Sequence, residues 1–222
     1  MSNSLDLIRH LELFDPHYFN LPVTIIGAGA TGSWLALSLA RLGIEDITVW
    51  DFDIIESHNI PNQAFGINHI GMSKVAALEA MVLRETGIDI KIHNAKYIDQ
   101  RLNGIVFLMV DSMSERKRIW ETSIKMKPTV KLLIEPRMGM DMGRVYNVDP
   151  TNLTHIKKYE DSYYSDDDAE VSACGASMSV ISSSLAITSW CTRQLINFHN
   201  DVELDNEILI DFMYNNIIAE RW

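Results

Sequence analysis

The stretch Pro22-Val-Thr-Ile-Ile-Gly27-Ala-Gly29-Ala-Thr-Gly32 decides how this chain folds. Its first half is a short apolar run rich in β-branched residues, the mark of a buried strand. Its second half is a Gly27-x-Gly29-x-x-Gly32 pattern. Glycines there permit a tight turn and let backbone N–H groups approach a phosphate at the start of a helix. The same glycines would also serve close helix–sheet packing without any ligand. Residues 31–42 have helical spacing and stop at Gly43, a natural C-terminal cap. Asp46-Ile-Thr-Val-Trp-Asp51 reads as a second strand. Asp51 stands 19 residues beyond Gly32, where an acid can hold ribose hydroxyls.

Outward from that unit the alternation continues. Residues 52–70 form a long loop that carries Asp53, Asn59, Asn62 and Gln63, and loops of this length are often functional. A helix is expected over 73–84, a strand within 88–97, and an apolar strand over 104–110 that ends at Asp111. A helix over 114–126 and a strand over 131–135 follow. The fold class expected is α/β: Rossmann-like, with a mostly parallel central sheet and helices on both faces. Past Pro136 the pattern changes to a short antiparallel C-terminal extension, beginning with a strand over 144–148. Residues 149–172 are polar and read as a solvated loop, with acids at Glu160, Asp161, Asp166, Asp167, Asp168 and Glu170. A long helix is expected over 177–198 and one last strand over 207–218. We expect a single domain over 1–222, its nucleotide-binding half about 20–136 and its C-terminal part about 137–222.

Composition narrows the function. The 222 residues are 47% hydrophobic, enough to bury a core without staples. Nineteen basic against 30 acidic side chains give a net charge of −11. Such a surface repels phosphate backbones and makes nucleic acid an unlikely partner. Two cysteines, Cys174 and Cys191, cannot form a four-cysteine zinc site, and no zinc is expected. Without a signal peptide or a long apolar span, no membrane association is expected and the cytoplasm is the default compartment.

Two further residues carry chemistry. Ligands in open parallel sheets bind outside the carboxyl ends of the strands, where Asp111 falls. An acid there can hold Mg²⁺ that bridges phosphates, and Lys74 can neutralise developing pyrophosphate charge. The plainer alternatives are a helix cap for Asp111 and a surface position for Lys74. Cys174 precedes a helix and is a candidate nucleophile or a small packing residue; Cys191 reads as core.

These elements together resemble the ThiF/MoeB-type adenylyltransferases, the core of the ubiquitin-activating enzymes. The resemblance rests on GAGATGSW (27–34), RLGIEDITVWDFDIIESHN (41–59), Gln63, GMSK (71–74), VDS (110–112) and VISSSLAITSW (180–190). It implies ATP and Mg²⁺ as cofactors. The substrate implied is the C-terminal carboxylate of a small ubiquitin-like or sulfur-carrier protein or peptide ending in glycine. By position it implies that Gly27, Gly29, Ala30, Thr31 and Gly32 form the nucleotide loop, with Asp51, Asp53, Asn59, Asn62, Gln63 and Lys74 around the nucleotide. Asp111 would hold the metal. A homodimer is implied, with Arg9 as the candidate for an N-terminal arginine supplied by the other subunit. Cys174 is the candidate for a thioester or persulfide. The family has arginine where this chain has Asn62, so Arg9 or Arg137 must compensate or adenylation is weakened. A nucleotide-binding scaffold without catalysis and a nicotinamide-dependent oxidoreductase are the alternatives.

Overall fold

The computed structural model describes residues 5–166 and 179–222. One eight-stranded sheet runs through the chain in the order β3-β2-β1-β4-β5-β6-β7-β8. The parallel half comprises β1 (Val23–Ile26), β2 (Ile47–Trp50), β3 (Lys91–His93), β4 (Gly104–Leu108) and β5 (Val130–Met138). From β5 onward the pairing turns antiparallel, through β6 (Met142–Val148), β7 (Glu207–Asp211) and β8 (Asn216–Glu220). The chain reverses its direction of winding between β1 and β4, so the crevice at their carboxyl ends is the topological switch point.

The alternation of faces follows from the strands. Ile25, Ile105, Phe107 and Ile134 point to one side, where α1 (Gly32–Arg41), α2 (Lys74–Thr86) and α5 (Ile181–His199) cover them. Ile26, Val106, Leu108 and Leu133 point to the other, against α3 (Met113–Ile119), a π-turn over Trp120–Ile124, and α4 (Leu153–Asp161). Trp120, Tyr146 and Tyr159 are the bulkiest fully buried side chains of that second core. Burying a large apolar side chain contributes about 1.5–3 kcal/mol, so both faces are anchored independently of any ligand. Among the described residues no helix is long and apolar enough to cross a membrane.

Three expectations are corrected. Residues 149–172 are not all loop: α4 lies within them, capped by the Asn152 side chain, which accepts from the N–H groups of Thr154 and His155. Only Ile156 and Tyr159 of α4 are buried, too few for a visible apolar stripe. The stretch 207–218 holds two strands, because Asp211 Oδ1 accepts from the N–H groups of Met213 and Tyr214 and turns the chain back. Strand β5 runs on through Pro136 and Arg137 to Met138, past the expected end at 135, and pairs with β6 along that extension.

Candidate functional site

The glycine loop follows β1 directly. Gly27 has a φ of +104°, and a Cβ there would lie 2.6 Å from the Met109 carbonyl oxygen. A Cβ on Gly32 would lie 1.9 Å from the carbonyl oxygen of Gly27. These two glycines are therefore required by the fold itself. Gly29 differs: a Cβ there would meet nothing within 4 Å. It borders open space at the start of α1, where a phosphate would approach backbone N–H groups.

Two hydroxyls hold the loop from either side. Ser33 Oγ donates to Gly29 O at 2.7 Å and accepts from Ala64 N–H at 3.1 Å, bolting the loop to segment 52–70. Thr188 Oγ1 of α5, which donates to Ser184 O at 2.7 Å, also lies 3.3 Å from Thr31 O, and Thr31 Oγ1 itself lies 3.5 Å from Met109 Sδ. Ala30 sits half-buried between them. The sequence reading singles out neither Ser33 nor Thr188 as a site residue, although Ser33 lies inside the GAGATGSW motif and Thr188 inside VISSSLAITSW.

On the β2 side the polar groups form a chain. Asp51 Oδ2 accepts from Ala28 N–H at 2.7 Å and Oδ1 from Asp53 N–H at 2.8 Å. Burial pushes the Asp51 carboxyl above the usual carboxylate range, against the opposing pull of Lys74 and of those two N–H groups. Lys74 is buried at the first position of α2, and its Nζ lies 2.7 Å from Asp53 Oδ2. Asn59, also buried, accepts from Glu56 N–H at 2.9 Å and shapes the short 3₁₀ turn Ser57–Asn59. Gln63 is buried with no partner for its Oε1 among the described residues, and Ser73 Oγ is likewise buried with none among them. Asn62 donates from Nδ2 to Ser179 Oγ at 2.6 Å and accepts on its carbonyl from Trp34 Nε1 at 3.1 Å.

On the β4 side Asp111 is exposed, and its carboxylate makes no hydrogen bond or ion pair among the described residues. Capping of α3 falls instead to Ser112, whose Oγ accepts from Glu115 N–H at 3.3 Å. A second carboxylate reinforces that helix start: Asp166 accepts from Ser114 N–H at 3.0 Å and from Met113 N–H. The Ser114 and Met113 donors hold the Asp166 carboxyl below the usual range. Among the described residues no group of three or more metal-ligating side chains exists, so a divalent ion here would rest on Asp111, phosphate oxygens and water.

Other expected residues lie elsewhere. Arg9 is exposed in the N-terminal segment, which packs at the far end of α1 and α5. There a Cβ on Gly43 would touch Leu7, Phe14 stacks edge-on to His199 at 5.0 Å, and Asn200 Nδ2 donates to Leu13 O at 2.8 Å. Within its own chain Arg9 is not brought to the glycine loop. Arg137 is buried beside Glu135 (Nε to Oε1, 2.6 Å), which also binds Arg116 Nη1 at 2.6 Å. It donates to Ser162 O at 2.8 Å and stacks on Tyr146 at 4.4 Å, so it is not free to replace an arginine at position 62. Glu160 of the acidic segment pairs with Lys125 at 2.6 Å and accepts from Trp120 Nε1 at 2.8 Å. Asp167, Asp168, Glu170 and the candidate nucleophile Cys174 lie outside the described residues. Cys191 is fully buried, and burial pushes its thiol far up.

Comparison with known proteins agrees with this layout. The ThiF family profile matches residues 17–190. Ubiquitin-like modifier-activating enzyme 5 of Caenorhabditis elegans is 33% identical over 73 residues, 32% of this chain and 17% of that protein. The probable adenylyltransferase/sulfurtransferase MoeZ of Mycobacterium tuberculosis is 32% identical over 79 residues, 35% of this chain and 20% of that protein. The matched stretch thus spans a fifth or less of those relatives. Among solved structures, E. coli MccB with AMPCPP and MccA superposes with a TM-score of 0.66 at 17% identity, over 94% of this chain and 65% of that one. PaaA superposes with a TM-score of 0.73 at 16% identity, over the whole of this chain and 76% of that one. With its glycine loop, its switch-point acid and a profile match over most of its length, the chain belongs to the ThiF family.

Proposed function

We propose that this chain adenylates a carboxylate with ATP and releases pyrophosphate. The observation that carries the reading is the pairing, across one crevice, of the open cradle at Gly29 with the exposed carboxylate of Asp111, which has no partner among the described residues. A dehydrogenase needs the first and has no use for the second. The donor carboxylate we propose is the C-terminal one of a small ubiquitin-like or sulfur-carrier protein or of a peptide. This reading draws on the names of the relatives and on MccB, solved with MccA.

The chain's own groups would act by positioning and charge. Asp51, already fixed by two N–H donors, would hold ribose hydroxyls on its remaining lone pairs. The loop N–H groups around Gly29 would cradle phosphates. Lys74 and Asn59 would meet the outer phosphates, with Lys74 turning from Asp53 to do so. Mg²⁺, resting on Asp111, would supply charge neutralisation of the triphosphate. A carboxylate oxygen of the donor attacks the α-phosphorus and the bond to the β-phosphate oxygen breaks. The carboxylate is its own nucleophile, so no base is needed.

Asn62 favours a second reading, a scaffold that binds nucleotide with weakened catalysis. Its amide donates to Ser179 and brings no charge to the phosphates. Titration calorimetry with ATP–Mg²⁺ and with NAD, on wild type and Asp111→Ala, separates the readings. We expect ATP to bind only with Mg²⁺ and to lose affinity in the variant, followed by pyrophosphate exchange when a carboxylate donor is added. NAD binding without Mg²⁺ dependence sinks the adenylation reading. Normal ATP binding with no exchange for any donor favours the scaffold.

A further inference from the structure

Three charged side chains are buried together on the β4 side of the crevice: Arg116 of α3, and Glu135 and Arg137 of β5. One oxygen, Glu135 Oε1, accepts from Arg116 Nη1 and from Arg137 Nε, both at 2.6 Å. Arg116 Nη1 also donates to Pro136 O at 2.9 Å, and Arg137 Nη1 to Ser162 O at 2.8 Å. Glu135 Oε2, Arg116 Nε and Arg137 Nη2 are buried with no hydrogen-bond partner among the described residues. Two guanidinium groups against one carboxylate leave one net positive charge in the interior. A buried triad of this kind rarely offsets its desolvation cost, and idle buried donors add to that cost. Stability alone does not account for it.

Its place in the fold does account for it. The register of β4 with β5 sets Phe107 beside Ile134. Carried on by three residues, that register sets Arg137 level with Val110, the residue before Asp111. Neighbouring strands lie about 4.8 Å apart. Arg116 stands in the first turn of α3, roughly 5 Å of helix rise from its start. The crevice itself is short of positive charge. Asp51, Asp53 and Asp111 outnumber Lys74, and Lys74 is already paired with Asp53. Asn62 adds none, and the whole chain carries −11. A charge in low-dielectric surroundings acts over a longer distance than one in water. The charges around the triad, Lys117, Glu115, Glu160 and Asp166, all reach solvent and are screened.

We propose that the Arg116–Glu135–Arg137 triad acts through its field: its buried positive charge draws an anionic ligand, the triphosphate of a nucleotide, to the β4 side of the crevice without touching it. At a distance it offsets the charge that Asn62 does not bring. The potential is a property of the fold; its use on a triphosphate rests on the adenylation reading.

The sign of the charge supplies the test. Glu135→Gln keeps an oxygen for both arginines and places its amide where Oε2 has no partner among the described residues, so it adds one positive charge with little change of shape. Arg137→Gln removes one. Arg137→Lys keeps the charge and loses the fork. The reporter is the thiol of Ser114→Cys, exposed at the start of α3, in a Cys174→Ser chain whose other cysteine, Cys191, is fully buried. Alkylation by neutral iodoacetamide reads its pH midpoint. The midpoint is expected to fall by about half a pH unit in Glu135→Gln, to rise by about as much in Arg137→Gln, and to hold in Arg137→Lys. With Ser114 and Cys174 intact, affinity for Mg²⁺–ATP is expected to rise about threefold in Glu135→Gln and to fall about threefold in Arg137→Gln. Structural damage would move both variants the same way. Should Arg137→Gln fail to fold, Glu135→Gln against Arg137→Lys decides. Midpoints that stay put, or that shift alike in the two glutamine variants, overturn the proposal. Opposed midpoints with ATP affinity unmoved overturn its use on a nucleotide. A wild type that binds no ATP breaks the adenylation reading instead, and the thiol midpoints still decide whether the potential exists.

Discussion

The two sides of the nucleotide crevice are built on opposite plans. On the β2 side the charged groups are committed to one another: Asp51 holds Ala28 and Asp53, Asp53 holds Lys74, and Asn59 holds its own turn. On the β4 side Asp111 stands exposed with no partner among the described residues, because Ser112 and Asp166 have taken over the capping of α3. One side is part of the fold and shapes the cavity. The other is held in place by the fold and left for something that arrives. The distinction has energetic content. A committed group loses hydrogen bonds when it is changed, whereas a free group loses only what it does for a ligand.

The glycine loop gives the largest expected effect. Gly32→Ala places a Cβ 1.9 Å from a backbone oxygen and should cost about 3 kcal/mol or more, with nucleotide binding lost as well. Gly29→Ala should melt at the wild-type temperature and still bind ATP poorly, since its methyl group fills the cradle alone. Thermal melts beside calorimetric titration check this, and equal destabilisation by both would erase the distinction between fold glycines and ligand glycine.

The acids come next. Asp111→Asn should lower the rate of adenylation by roughly 10²–10³ while changing stability by less than about 0.5 kcal/mol. Asp51→Asn turns an acceptor toward an N–H donor and should cost about 1–3 kcal/mol in stability together with weaker ATP binding. Denaturant melts and exchange rates on the two variants decide it. A stability loss in Asp111→Asn would show that this carboxylate is structural after all.

The smallest effect is one of pH. Burial raises the Asp51 carboxyl above its ordinary 3.8, so folding favours the protonated form. That contribution to stability is fully present below 3.8 and is lost as pH rises through the folded value. Nucleotide binding runs the other way, because the neutral carboxyl holds Ala28 and a ribose less well. Mild acidification should therefore weaken ATP binding at pH values where the protein is still folded, and Asp51→Asn should flatten that dependence. An identical acid profile in the variant would assign the effect to another group.

How much of this was legible depends on range. The parallel half could be read because its signals are local and redundant. The apolar run at 22–26, the three glycines, and Asp51 and Asp111 at strand ends each point to the same crevice. Helix α4 was hidden because Ile156 and Tyr159 are its only inward-facing side chains. The full length of β5 was hidden because Glu135 and Arg137 interrupt the apolar run. Their burial makes sense only once Arg116, nineteen positions upstream of Glu135, closes the ion cluster. In the same way Asp166 reads as one more solvated acid, yet it accepts from the N–H groups that open α3. Long-range partners turn surface-like residues into interior ones, and no local window carries them.

The three glycines also differ in what holds them through evolution. Positions 27 and 32 are closed to any side chain by the backbone around them, whatever the protein does. Position 29 has room for one. A descendant that gave up nucleotide while keeping the fold would be free to change residue 29 first, and the residue found there would record whether the cradle is still in use.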